Sequence, residues 1–274
     1  MKKILIVGKK SFVASHIYEE LNYKTTLIDY DELIKKKESF FKNFNYIINC
    51  SSNLNFIKKK YNTKFDYDYN IALKIKNLKC GYIFLSTRKV YFPKADIKET
   101  GKLKPKCNYS INKLTSENKV TTILNKKILI LRAGNIIGHD TNKSKRKLHI
   151  TFMDIFLQNI KNNILFKNPY IYKDFLPVKI FVKILAKLIA SKCSGIYNVS
   201  FGKKIYIDNI LNWLNYYNNK PFIKKVFKIN GIKENKDCFY LNNTKLKKKI
   251  KFNLTKKILE LECKKISKKI FYEK

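Results

Sequence analysis

Acidic residues are scarce in this 274-residue chain: 20 Asp and Glu stand against 59 Lys and Arg, a formal net charge of +39. Arginine is scarcer still. Only Arg88, Arg132 and Arg146 interrupt the lysines, which are scattered along the whole length among many Asn and Ile. A dedicated nucleic-acid groove favours Arg, whose planar fork makes bidentate contacts with bases and phosphates. The dispersed lysines therefore read as a solvated surface, and no specific nucleic-acid partner is expected. Histidine is limited to His16, His139 and His149, and the six cysteines (Cys50, Cys80, Cys107, Cys193, Cys238, Cys263) are far apart with no C-x-x-C. Neither a zinc cluster nor a disulfide framework fits that spacing, so no metal is expected. Long apolar runs are missing too. Ile4-Leu5-Ile6-Val7 is ended by Gly8-Lys9-Lys10, too short for a signal-peptide core or a membrane span, and the reducing cytoplasm is the expected compartment. No repeat and no Gly/Ser- or Pro-rich linker divides the chain.

What is present is a core. With 45% hydrophobic and 14% aromatic residues, the chain can fold as one large domain or two modest ones, and disorder is excluded. The first half alternates short β-rich runs with amphipathic stretches: strands at 4–7, 25–29, 46–50, 81–86 and 127–132, helices at 12–21, 65–77 and 109–124. This rhythm predicts parallel strands joined by helices. Runs apolar throughout, such as Ile128-Leu129-Ile130-Leu131, fit strands covered on both faces, hence an α/β fold with a central, doubly wound sheet. Past 138 the pattern loosens into a basic stretch at 139–147, helices at 150–160, 180–190 and 208–217, and short segments at 174–178 and 195–199. This part reads as a smaller cap. The Lys-rich tail from 255 onward predicts a terminal helix docked on that cap, with contact to an anionic membrane surface as the alternative.

The turn Gly8-Lys9-Lys10-Ser11-Phe12-Val13-Ala14, between a strand and a helix, has the order a dinucleotide site requires, because backbone N–H groups and a helix N-terminus must approach a pyrophosphate. Gly8 supplies the tight turn. Ser11 and Ala14 stand where a glycine-rich turn would have glycines, and Ser11 could donate to a phosphate or cap the helix. Asp29 closes the second strand near the spacing at which an acid binds an adenosine ribose. An acid there favours NAD over NADP, whereas Lys9 and Lys10 could attract an extra phosphate. Either cofactor remains open.

Tyr109-Ser110-Ile111-Asn112-Lys113 puts a phenol and an ammonium one helical turn apart on one face. A neighbouring cation favours the phenolate, so Tyr109 is expected to have a lowered pKa and to exchange protons with an alcohol while a nicotinamide exchanges hydride. Upstream, Ser86-Thr87-Arg88-Lys89-Val90-Tyr91 follows a strand, and strand ends carry the chemistry of open α/β sheets.

Together these residues resemble the extended short-chain dehydrogenase/reductase family, the branch that modifies nucleotide sugars. The resemblance runs in matching order from Gly8 to Ala14 through Ile48-Asn49-Cys50-Ser51-Ser52, Asn70, the Ser86 and Tyr109 segments, Leu131 to Gly138, Lys173-Asp174-Phe175-Leu176-Pro177-Val178 and Gly195-Ile196-Tyr197-Asn198-Val199. It implies a Rossmann-type domain holding NAD or NADP over residues 1–138, with segments returning from the C-terminal half, and a cap mainly in 139–274 that grips a nucleoside diphosphate sugar. By motif, Thr87, Tyr109 and Lys113 are the catalytic residues. Gly8, Ser11, Phe12, Val13, Asp29, Cys50, Ser51 and Ser52 line the cofactor together with Tyr109 and Lys113, and Arg88, Asn135 and Lys173 face the substrate, Lys173 at a position that in the family typically touches the nucleotide phosphate. Homodimerisation is common in the family, although no residue of this sequence carries it.

Departures narrow the reaction. The 4,6-dehydratases of the family place an Asp-Glu pair directly after the catalytic Thr, and enzymes similar to GDP-fucose synthase place a Cys one position beyond the catalytic hydroxyl. Here those positions are Arg88 and Lys89, which cannot act as carboxylic or thiol acids. Hydride chemistry at one carbon remains, as a 4-epimerase or a 4-ketoreductase. Because glycines are replaced and the charge is extreme, the alternative is a degenerate Rossmann protein that binds nucleotide or RNA without turnover.

Overall fold

A computed structural model describes residues 2–138, 152–162, 164–166, 170–219, 223–225 and 238–272. The chain begins with β1 (Lys3–Val7), α1 (Phe12–Glu20), β2 (Lys24–Ile28) and the short helices α2 (Tyr30–Leu33) and α3 (Glu38–Phe41). It continues through β3 (Tyr46–Asn49), α4 (Leu54–Lys58), α5 (Tyr67–Ile75), β4 (Gly81–Thr87), α6 (Asn108–Leu124) and β5 (Ile128–Ala133). The second half holds β6 (Asn135–Ile137), α7 (Phe152–Lys161), β7 (Ile164–Phe166), β8 (Tyr172–Lys173), β9 (Phe175–Pro177), α8 (Val178–Ala190) and β10 (Gly195–Val199). It ends with β11 (Ile205–Tyr206), α9 (Ile207–Leu214), β12 (Ile223–Lys225), α10 (Thr244–Lys249) and α11 (Lys256–Phe271).

Six strands form one parallel sheet in the order β10-β5-β4-β3-β1-β2. Alternate side chains divide between two cores, as strand geometry requires. Ile4, Ile6, Ile48, Ile83, Leu129 and Leu131 meet α1 and α8 through Ala14, Ile17, Phe181, Leu185 and Leu188. Leu5, Val7, Ile47, Tyr82, Phe84 and Ile130 meet α5 and α6 through Ile71, Ile75, Val120 and Leu124. Each such fully buried aliphatic side chain contributes roughly 1.5–3 kcal/mol, which is why strands apolar on both faces sit here. The sheet is doubly wound, as its sequence rhythm predicts.

The chain runs outward from β1 to β2 and crosses back to β3, so the winding reverses between β1 and β3. A crevice opens at their carboxyl ends, where open α/β sheets bind ligands. A third core joins α7, α9 and α11 through Ile160, Ile210, Leu214, Leu259, Cys263 and Ile266. The tail helix is therefore docked through Leu259, Cys263 and Ile266, which are buried, while Leu261 stays exposed. Among the described residues no helix is long and apolar enough to cross a membrane.

Most element boundaries fall within two residues of the expected ones. Helix α5 starts later than expected because Asp66 caps it, accepting the Tyr69 N–H at 3.1 Å, after a 3-10 turn over Thr63–Phe65. Helix α9 stops at Leu214, ahead of Asn215 and Asn218, residues whose side chains compete for backbone groups. The basic stretch at 139–147 and the start of the helix expected at 150 lie outside the described residues.

Candidate active site

At the end of β1 the chain turns at Gly8, with φ of +112°. A Cβ there would stand 3.0 Å from Ser51 Cβ and 3.2 Å from the Ser51 nitrogen, so the turn passes the loop after β3 only because the residue is glycine. Ser11 caps α1, its Oγ accepting the Ala14 N–H at 3.4 Å. Ala14 is fully buried against the sheet, small enough for the close helix approach a glycine would otherwise provide. Asp29 Oδ1 accepts the Lys9 N–H at 2.9 Å and so braces this turn. Lys9 pairs with Glu32 at 3.3 Å, and Lys10 is the lysine of the two that lines the crevice.

Two adjoining clefts follow. One, of about 560 Å³, is walled by Gly8, Lys10, Asp29, Asp31, Tyr30 and Tyr67. The last two rings stack with centroids 3.4 Å apart and planes 8° apart. The other, of about 430 Å³, runs from Ser11, Phe12 and Val13 to Thr87, Tyr109 and Lys113, and on to Arg88, Lys89, Asn135 and Lys173. Ser11, Cys50, Ser51, Ser52 and Tyr109 belong to both, so the two form one elongated crevice. All the cofactor, catalytic and substrate positions expected from the sequence stand on its walls.

The catalytic candidates are held from several directions. Thr87 ends β4 and caps a 3-10 turn over Arg88–Val90, its Oγ1 accepting the Lys89 N–H at 3.3 Å. Its side chain also hydrogen-bonds that of Tyr109. Helix α6 begins beside it, with Ser110 Oγ accepting the Cys107 N–H at 3.1 Å. A buried network fixes this helix on the sheet. Glu117 accepts from Ser86 Oγ and from Arg132 Nη2 at 2.6 Å, and Arg132 Nη1 reaches the Tyr91 hydroxyl at 2.9 Å.

Lys113 lies one turn beyond Tyr109, with Nζ 4.6 Å from the Phe84 ring centroid and 3.1 Å from Asp68 Oδ2. Asp68 Oδ1 in turn accepts from Asn49 Nδ2 at 2.9 Å and from the Tyr82 hydroxyl at 2.7 Å. Asn49 Oδ1 accepts the Ser51 N–H at 3.0 Å. One carboxylate thereby links the lysine to the loop that lines both clefts.

This carboxylate corrects the expected phenol chemistry. Burial holds the Tyr109 pKa above the ordinary phenol value; Lys113 pulls it down, but Asp68 and Cys107 push it up, and the net shift is upward. The Lys113 amine is itself held above its usual value, because Asp68 and Tyr109 outweigh the penalty of burial. Burial also drives the Cys50 thiol far up, leaving a neutral lining group.

At the far end of this cleft, Asn135 Nδ2 donates to the Asp174 carbonyl at 3.0 Å, tying β6 to β9 while facing the cleft. Lys173 is 7% exposed, a wall residue rather than a surface lysine. Arg88 packs over Phe239, with its guanidinium carbon 3.7 Å from the ring centroid, and Lys173 Nζ is 6.0 Å from the same ring. Sequence reasoning missed Asp68, Asn49, Tyr30, Tyr67 and Phe239. For Asp68 the only signal was an acid in the first turn of a helix, which also reads as a response to the helix dipole.

No protein-family model matches the chain, and no curated protein matches it by sequence. Solved structures do match by shape. The UDP-N-acetylglucosamine 4-epimerase from Methanobrevibacter ruminantium superposes with a TM-score of 0.78 at 18% identity, over 100% of this chain and 99% of that one. RMD from Pseudomonas aeruginosa, complexed with NADPH, gives 0.75 at 15% identity over 100% of both chains. The UDP-glucuronic acid 4-epimerase from Bacillus cereus, in complex with NAD, gives 0.74 at 14% identity over 98% and 99%. The chain thus shares the fold of these enzymes, a Rossmann-like α/β architecture.

Proposed function

We propose that this chain is an NAD(P)-dependent oxidoreductase that modifies a nucleoside diphosphate sugar, acting as a 4-ketoreductase or a 4-epimerase. The observation that carries the reading is the meeting of Thr87, Tyr109 and Lys113 at the sheet's carboxyl edge, in the crevice that begins at the Gly8 turn. A dinucleotide fits the walls present. The glycine turn and the α1 N-terminus offer backbone N–H groups to a pyrophosphate, and Asp29 and Asp31 stand where ribose hydroxyls would need acceptors. In this reading residues 1–138, with β10 and α8, hold the cofactor, and most of 139–274 grips the sugar nucleotide.

A nicotinamide seated there supplies hydride exchange with one sugar carbon. The protein's part is the proton. Tyr109 Oη takes it from the sugar hydroxyl or returns it to the carbonyl oxygen, and Thr87 holds that same oxygen. Lys113 stabilises the charge left on the phenolate. Among the described residues of the reacting cleft's wall there is no Asp or Glu. This favours hydride transfer alone over dehydration, which needs a carboxylic acid and a carboxylate at the ring.

The test is turnover with NAD or NADP against a panel of nucleoside diphosphate sugars and their 4-keto forms, followed by nicotinamide absorbance and product stereochemistry. Net oxidation of reduced cofactor by a keto sugar marks a reductase. Interconversion of epimers without net cofactor change marks an epimerase. Absence of both, with nucleic-acid absorbance that salt removes from the purified protein, would instead support the non-catalytic binder.

A further inference from the structure

The reacting end of the crevice carries charge of one sign. Arg88, Lys89 and Lys173 line it, whereas the acids of the crevice, Asp29 and Asp31, wall the opposite end. Lys113 is the further cation of this cleft, and its charge is answered by Asp68.

Position separates Arg88 and Lys89 from a simple diphosphate clamp. Arg88 and Lys89 follow Thr87 directly, and the Thr87 side chain is hydrogen-bonded to that of Tyr109. Both cations line the cleft beside Thr87, and Lys89 Nζ lies 5.9 Å from the centroid of the Tyr109 ring. A substrate diphosphate is separated from that carbon by the sugar ring. Lys173 approaches from β8 on the cap side and shares the Phe239 ring with Arg88. Packing over Phe239 holds the guanidinium in place, and arginine's fork suits a bidentate grip on a planar carboxylate.

We propose that the sugar itself bears a carboxylate, so that the substrate is a nucleoside diphosphate uronic acid or its keto form, with Arg88 as the principal contact and Lys89 completing the site. The inference rests on the reading of the crevice as a nucleotide-sugar site and adds the charge of the sugar. A carboxylate held by charge-assisted hydrogen bonds in a cleft whose described wall residues include no acid gains affinity that the neutral hexose lacks.

The experiment is calorimetric binding to the full chain saturated with NAD, comparing UDP-glucuronate and UDP-galacturonate with UDP-glucose and UDP-galactose, and repeating the pairs with dTDP sugars. The expected result is roughly 10- to 100-fold tighter binding of the uronates. Arg88→Met should cut that ratio about tenfold, and Arg88→Lys, which keeps the charge but not the fork, should restore part of it. NAD affinity of each variant checks that the crevice is still formed. Equal or tighter binding of the neutral sugars would overturn the inference and leave the nucleotide-sugar reading standing. Discrimination for uronates without hydride exchange would overturn the proposed activity and leave the charge assignment standing. Failure to bind any of these nucleotide sugars would overturn both.

Discussion

Asp68 Oδ2 and Lys113 Nζ lie 3.1 Å apart, a buried ion pair between neighbouring helices immediately behind Tyr109. The pair does two things at once. It keeps an ammonium charged where burial alone would favour the neutral amine, and it cancels part of the field that ammonium exerts on the phenol.

Breaking the pair leaves one buried charge without its partner. Asp68→Asn is therefore expected to lower stability by about 3–5 kcal/mol in urea unfolding. Combining it with Lys113→Met should recover a substantial share of that loss, measured as a double-mutant cycle. Additive losses would mean that the two side chains do not interact.

Tyr109→Phe removes the proposed proton carrier without disturbing the walls of the crevice. Turnover should fall about 10²- to 10⁴-fold, with NAD affinity, read by nicotinamide fluorescence, little changed. Since the phenol of the protein without cofactor is held above its ordinary value, a step that needs the phenolate should quicken as pH rises through the neutral range, by at most about tenfold per pH unit. A flat profile over that range would contradict the raised pKa.

Cofactor choice should follow the acids of the larger cleft. Asp29 and Asp31 oppose a phosphate on the adenosine ribose, so NAD should bind tighter than NADP, and Asp29→Ser should narrow the gap by about tenfold. Asp29 also braces the Lys9 N–H, so a modest loss of NAD affinity is expected in the same variant.

Asp174 is fully buried, and burial pushes its carboxyl up to about 7 although it accepts N–H groups from Phe201 at 2.8 Å and Leu241 at 3.0 Å. A carboxyl raised above its unfolded value makes the folded state bind the proton more tightly. Its stabilising contribution is therefore complete below about pH 4 and is lost as pH rises through about 7. Relative to Asp174→Asn, the wild type should lose stability across that window, with a slope no steeper than about 1.4 kcal/mol per pH unit in pH-stepped denaturation.

The sheet was readable because its signal is local. Ile4 to Val7 and Ile128 to Leu131 are apolar without interruption, and only strands covered on both faces need that. The Gly8 turn, Thr87, Tyr109 and Lys113 were readable because strand ends and one helical turn fix their mutual placement in advance. Asp68 was not, since its partner is 45 residues away and the pairing exists only once α5 and α6 are packed on the sheet. The sign of the Tyr109 shift was misjudged for the same reason: sequence spacing reveals the nearby ammonium but neither the depth of burial nor the opposing carboxylate. Phe239, reached through the Ile97 and Tyr240 backbone contact, depends on a pairing across more than half the chain.

Strand β10 completes the central sheet from beyond residue 190, and α8 closes one of its faces. During synthesis, the outer edge of β5 and the apolar row formed by Ile83, Leu129 and Leu131 must wait, bare, until some sixty further residues have emerged from the ribosome. A fragment cut near residue 138 would present the same open edge permanently and should aggregate, so the two halves are partners in folding.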